Sequence, residues 1–202
     1  MNYFSKYKLI VFDLDNTLIP ETDYLFRAYE EISYFIEKNF FIDRMKIDSY
    51  LKNEFIKNGR SKLFDNMLRN FNIHDVEMTS ILDILRTVKL REKIQLIDSM
   101  KLILESLIKN KIPYVVFTNG NVDQQKNKVE NIRWKGLRPD VIYANEIKPK
   151  PDTISFSTYL LKNKIKICEH EILMIGDSEV DQLFAENFGC DFKYVSSLKE
   201  KR

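Results

Sequence analysis

Apolar positions along the chain change their period twice. The run Leu9 to Phe12 stops abruptly at Asp13 and Asp15, the pattern of a buried parallel strand whose carboxyl end opens onto a loop. From there to about Arg91 the spacing is helical. Pro20, Glu21 and Asp23 resemble a helix start, and Leu25, Ala28, Tyr29, Ile32, Phe35 and Ile36 follow at helical intervals. Further helical patterns come next: Ile47, Leu51 and Phe55; then Phe64, Met67, Leu68 and Phe71; then Ile81, Ile84, Leu85 and Val88. Gly59 and Asn72 to Asp75 punctuate them. The aromatic residues Tyr24, Phe26, Tyr34, Phe40 and Phe41 are read as the core of this helical stretch.

From Ser99 the pattern alternates between helix and strand. A helix with Met100, Ile103, Leu104, Leu107 and Ile108 as its stripe leads into a strand at Tyr114 to Phe117. Val122 to Trp134 reads as a polar surface helix, and Val141 to Ala144 as a third strand. A helix carrying Ile154, Phe156, Tyr159 and Leu160 follows, then strands at Ile172 to Ile175 and Phe192 to Val195. This predicts an α/β core with a parallel sheet, formed by residues 1–20 and 92–202, and an all-helical insert over 21–91.

At 202 residues and 44% hydrophobic content, the chain can bury one sizeable core with a small accessory domain. A net charge of +2, from 32 basic and 30 acidic residues, gives no electrostatic reason to expect nucleic acid or an anionic membrane as partner. No apolar run approaches a membrane span, and Met1 to Lys8 lacks the apolar segment of a secretory signal, so a cytoplasmic protein is the expectation. Cys168 and Cys190 lack metal-site spacing and are expected to be reduced and partly buried.

The candidate chemistry sits where the strands end. Two unit charges about 5 Å apart, as Asp13 and Asp15 would be, repel by roughly 3 kcal/mol at an effective dielectric near 20. A hard divalent cation and a lysine are the usual compensation. Thr118, Asn119 and Gly120 offer a hydroxyl, an amide and backbone N–H groups that can cradle phosphate oxygens, although the same residues also make an ordinary turn. Lys148-Pro149-Lys150-Pro151-Asp152 places lysines in a stiff extended loop, with Asp152 a candidate helix cap. Asp177 and Asp181 follow the fourth strand, where Ser178 with Asp181 reads equally as a helix capping box or as part of a metal site. Together these groups fall after successive strands of one parallel-sheet pattern.

DLDNT, FTNG, KPKPD with the downstream Phe156, and GDSEVD resemble, in order, the four motifs of the haloacid dehalogenase-like hydrolase superfamily, over Leu9 to about Gly189. The resemblance implies a Rossmann-like three-layer core, a small helical cap inserted after the first strand, and bound Mg2+. It also implies hydrolysis of a small phosphate monoester, so that the partner is a small phosphorylated metabolite. Carried over by position, Asp13 is the nucleophile and Asp15 the acid and base. Thr118 and the backbone N–H of Asn119 bind phosphoryl oxygens. Lys150 offsets the clustered negative charge, and the metal is held by Asp13, the Asp15 carbonyl, Asp177 and Asp181. Lys150 is preferred over Lys148 because it puts Phe156 rather than Ile154 at the family's bulky position.

The dehalogenase branch of that superfamily lacks the second aspartate, so Asp15 argues for phosphorus. A sugar phosphomutase is the alternative enzyme, and a non-catalytic Mg2+- or phosphoprotein-binding module is the alternative of another class. Arg27, Arg44, Arg60 and Lys62 are candidate contacts for an anionic substrate, each weighed against a solvated surface role.

Overall fold

The computed structural model describes residues 3–199. The chain divides into two compact units, one formed by residues 1–21 and 93–202 and the other by residues 22–92.

The first unit is an α/β fold of the Rossmann-like kind. Its strands are β1 (Leu9–Phe12), β2 (Tyr114–Thr118), β3 (Asp140–Tyr143), β4 (Ile172–Gly176) and β5 (Asp191–Tyr194). They form one five-stranded sheet in the order β3-β2-β1-β4-β5, and every pairing is parallel. All four residues of β1 are buried, as are all five of β4. Helices cover both faces of a parallel sheet, which explains why these strands read as unbroken apolar runs. β3 and β5 each lie one residue earlier than expected. Ala144 leaves the ladder to begin a 3-10 turn, and Val195 follows β5 while bonding back to the Gly176 carbonyl.

β1 lies in the middle of the sheet, flanked by β2 and β4, so the chain leaves Phe12 where the strand order switches direction. In open α/β sheets the crevice outside the carboxyl ends at such a point is where ligands bind. One face of the sheet packs on an apolar cluster that includes Leu9, Val11, Phe117, Phe156, Met174 and Phe184. Phe156, on α7 (Ile154–Lys162), is wholly buried and packs its ring against Phe117, Phe184 and Phe188.

The second unit is helical: most of α1 (Glu21–Phe40), then α2 (Arg44–Asn58), α3 (Leu63–Asn70) and α4 (Met78–Thr87). The buried stripe of α1 is Tyr24, Leu25, Ala28, Tyr29, Ile32, Ser33 and Ile36. Tyr29 meets the rings of Phe55 and Phe64 edge-on. The expected aromatic core is only partly realised. Tyr24 is buried, but Tyr34 is 51% exposed and Phe41 94%. Tyr34 lies two positions from both Ile32 and Ile36, which turns it to the opposite side of the helix, and Phe41 follows the helix end at a positive φ. Among the described residues no helix is long and apolar enough to cross a membrane. Cys168 is exposed rather than partly buried, and Cys190 is half-buried.

Candidate active site

The loop after β1 is held from both sides. The Asp13 N–H donates to the Ile175 carbonyl at 2.9 Å, so the ladder with β4 continues one residue past the strand. Asn16 adopts a left-handed conformation (φ 56°) that asparagine tolerates, and its Oδ1 accepts the Glu21 N–H at the start of α1. Asp13 and Asp15 thus leave a strand whose backbone is fixed.

Lys150 meets two of the strand-end carboxylates. Its side chain is buried, with Nζ 2.7 Å from Asp13 Oδ1 and 2.5 Å from Asp181 Oδ1. Asn119 clamps the same residue by its backbone, accepting from Lys150 N (2.8 Å) and donating to Lys150 O (2.9 Å). The loop itself departs from the extended form expected. The Asp152 N–H bonds to the Pro149 carbonyl across a turn that contains the cis Lys150–Pro151 peptide. Lys148 is exposed and pairs with Asp152 at 2.7 Å. Asp152 also accepts the Ile154 N–H, but it stands one residue before the N-cap position expected of it: the N-cap of α7 is Thr153, whose side chain makes no capping bond, and Ile154 itself is 48% exposed.

Asp181 serves the helix and the cluster together. Ser178 Oγ and the Ser178 N–H both donate to Asp181 Oδ2, completing the capping box of α8 (Glu179–Phe188), while Oδ1 is left to Lys150. Asp13, Asp177 and Asp181 can each offer an oxygen within 4.8 Å of the others. Burial pushes the Asp13 carboxyl up to about 7, with Lys150 opposing the shift and Asp181 adding to it. Asp177 is also raised, by burial first and then by Asp181. Burial alone would lower the Lys150 ammonium, but the charges of Asp13 and Asp181 outweigh it and hold it above the usual lysine range. One ammonium faces three carboxylates, which leaves net negative charge among hard oxygen donors. That donor set fits Mg2+.

Asp15 sits in a different environment, made by residues the sequence reading left on the surface. Helix α6 (Val122–Glu130) ends at Glu130, short of Trp134, and is not a simple surface helix. Gln124, Gln125, Lys128 and Val129 are buried on one face. Lys128 Nζ stands 2.6 Å from Asp15 Oδ2 and 3.9 Å from Glu21 Oε1. Gln125 Nε2 donates to the same Asp15 oxygen (3.1 Å) and to Thr118 Oγ1 (2.6 Å). A faint signal was present. A helix that follows a sheet strand must bury one face, and with Val129 supplying the apolar part of it, polar side chains three and four residues apart had to fill the rest.

A cavity of about 690 Å3 lies within the helical unit, lined by Arg27, Glu30, Tyr34, Arg44, Asp48 and Arg91 among others. Arg27 and Arg44 therefore border this cavity; Lys62 is exposed and borders a second one of about 470 Å3 with Asp65, Arg69 and His74, and Arg60 is exposed and lines neither. None of the strand-end residues lines either cavity.

A profile of the family described as haloacid dehalogenase-like hydrolase matches residues 10–195. The chain belongs to that family. Similar solved structures include YfnB of Bacillus subtilis, assigned as a haloacid dehalogenase-like hydrolase and bound to magnesium, at a TM-score of 0.65 and 18% identity over 92% of this chain and 85% of that one. A protein of Thermotoga maritima assigned as a β-phosphoglucomutase gives a TM-score of 0.64 and 13% identity over 91% and 82%. The defluorinating L-2-haloacid dehalogenase Rha0230 gives 0.59 and 13% over 93% and 80%. At these identities the likeness is one of fold. No curated protein matches the sequence.

Proposed function

We propose that this hydrolase is a Mg2+-dependent phosphatase that cleaves a small phosphate monoester through an aspartyl-phosphate. The observation that carries the reading is the separation of the two aspartates. Asp13 lies in the carboxylate cluster with Lys150 on one oxygen, and Asp15 stands apart from that cluster, held by Lys128 and Gln125. Two carboxyl groups in unlike surroundings suit two unlike roles, nucleophile and proton carrier.

Asp13 attacks phosphorus in line. As the bond to the leaving oxygen breaks, Asp15 gives that oxygen its proton, and a free alcohol departs. Asp15 then takes a proton from water while the water oxygen bonds to phosphorus and the bond to Asp13 breaks, releasing inorganic phosphate and restoring both side chains. Thr118 and the Asn119 N–H bind the equatorial oxygens, and Lys150 balances the charge gathered on them. When bound, Mg2+ would be held by Asp13, the Asp15 carbonyl, Asp177 and Asp181, and would supply charge stabilisation at the phosphoryl group. A cytoplasmic location and a small phosphorylated metabolite as substrate belong to the same reading.

Purified protein with Mg2+ is expected to release inorganic phosphate from at least one member of a panel of sugar phosphates, nucleotides and small phosphorylated acids, and EDTA is expected to stop it. Conversion of one sugar phosphate into its isomer without phosphate release would instead identify a mutase. No turnover of any member, with or without metal, would end the phosphatase reading.

A further inference from the structure

The buried face of α6 holds a lysine that the chemistry above does not use. The Lys128 side chain is 1% exposed, and an ammonium so deeply placed needs an anionic partner to remain charged. That partner is Asp15, at 2.6 Å, with Glu21 further off at 3.9 Å. Gln125 lies three residues earlier on the same helix, and the two side chains converge because positions three apart share a helix face. Both donate to one atom, Asp15 Oδ2. The other carboxylate oxygen, Oδ1, is buried and has no hydrogen-bond partner. Gln125 also bonds Thr118 Oγ1, so the grip on Asp15 is tied to the end of β2.

We propose that Lys128, assisted by Gln125, is a positioning residue for Asp15. The inference rests on the phosphatase reading, in which Asp15 carries the proton. Two donors on Oδ2 fix the rotation of the carboxyl group and occupy that oxygen, so the atom that exchanges a proton with the leaving alcohol or with water is Oδ1. The two lysines divide the first motif between them. Lys150, from the loop after β3, holds Asp13, and Lys128, from the helix after β2, holds Asp15. Lys128 therefore acts on proton transfer, through the orientation of Asp15.

This role differs from that of an ordinary buried ion pair in how it depends on the leaving group. An alkyl phosphate needs a proton on its departing oxygen, whereas p-nitrophenyl phosphate does not. The test is single-turnover phosphorylation of the enzyme by glycerol phosphate and by p-nitrophenyl phosphate. It compares wild type, Lys128→Met, Lys128→Arg, Asp15→Asn and the Lys128→Met/Asp15→Asn double variant. Lys128→Met is expected to slow the alkyl ester roughly 10- to 100-fold, to leave phosphorylation by the aryl ester within about threefold of wild type, and to recover most of the loss as Lys128→Arg. On the Asp15→Asn background it should cost nothing further, because the group it positions is gone.

Equal losses on both esters, or a further loss in the double variant, would overturn the proposal and leave Lys128 a structural residue. If Lys128→Met does not fold, Gln125→Met replaces it under the same two criteria, since it removes a donor to Oδ2 without stranding a charge. A wild-type protein that releases no phosphate from these esters or from any member of the wider panel overturns the phosphatase reading and this inference together. An active wild type whose Lys128 and Asp15 variants are additive overturns only the inference.

Discussion

Lys150 Nζ lies 2.7 Å from Asp13 Oδ1, and it reaches that atom across 137 residues of sequence. Lys148, two residues away and also followed by proline, instead faces solvent beside Asp152. The difference follows from what holds each backbone. Asn119 grips Lys150 by both its N–H and its carbonyl, and Phe156 anchors the following helix in the aromatic cluster under the sheet.

Lys150→Ala is therefore expected to remove most activity, whereas Lys148→Ala should stay close to wild type. Breaking a buried pair costs roughly 3–5 kcal/mol when it strands the partner's charge. The metal-free Lys150→Ala protein should show that loss most fully at pH 8 and less at pH 5, where Asp13 can take up a proton. Thermal melts and turnover of both variants check this, and a reversed ranking would assign the site to Lys148.

Asp13 also sets a pH dependence. Its carboxyl is raised to about 7 by burial, and Asp177 is raised in the same direction, whereas an unfolded aspartate titrates near 3.9. Between those values the folded, metal-free protein holds more protons than the unfolded chain, so the contribution of these groups to stability falls as pH rises from about 4 to about 7. Mg2+ needs the ionised carboxylates and should reverse the trend. Melting curves with EDTA and with Mg2+ are expected to differ little at pH 5 and clearly at pH 8. An equal difference at both values would detach the metal from these carboxylates.

Gly176, at the end of β4, is required for its lack of a side chain. A Cβ there would fall inside contact distance of the Asp181 carboxylate and its Cβ. Gly176→Ala is expected to destabilise the protein by about 1–3 kcal/mol and to lower Mg2+ affinity by shifting Asp181 off Lys150. Calorimetric titration with Mg2+ and a thermal melt test the two effects separately. Wild-type values in both would show that the turn yields freely.

Much of the α/β architecture was legible because parallel strands buried on both faces appear as short apolar runs, as at Leu9 to Phe12 and Ile172 to Ile175. β3 and β5 were harder to place. Asp140 opens β3 exposed and no residue of β5 is fully buried, so the contrast at their ends is weak. Asp13, Asp177 and Asp181 were readable as strand-end carboxylates, and they converge within one cluster. Lys128 was only faintly readable, through the need of a helix after a sheet strand to bury one face. Its helix is polar, and its partner Asp15 lies 113 residues away. Only the packing of α6 against the sheet reveals that the charge is buried. Tyr34 and Phe41 differ from expectation for the opposite reason: aromatic content suggested a core, but Tyr34 lies across α1 from its buried stripe and Phe41 follows the helix end at a positive φ, so both are exposed.

The central claim is that Asp13 accepts a phosphoryl group, and it can be tested without knowing the natural substrate. Inorganic phosphate fully labelled with heavy oxygen is incubated with the protein and Mg2+ in ordinary water. Reversible formation of the aspartyl-phosphate ejects phosphate oxygen as water and exchanges the label with solvent. The expected result is progressive loss of label by mass spectrometry, abolished by EDTA and by Asp13→Asn. Retention of the full label in the presence of active, Mg2+-loaded protein, or exchange that survives Asp13→Asn, would contradict the account.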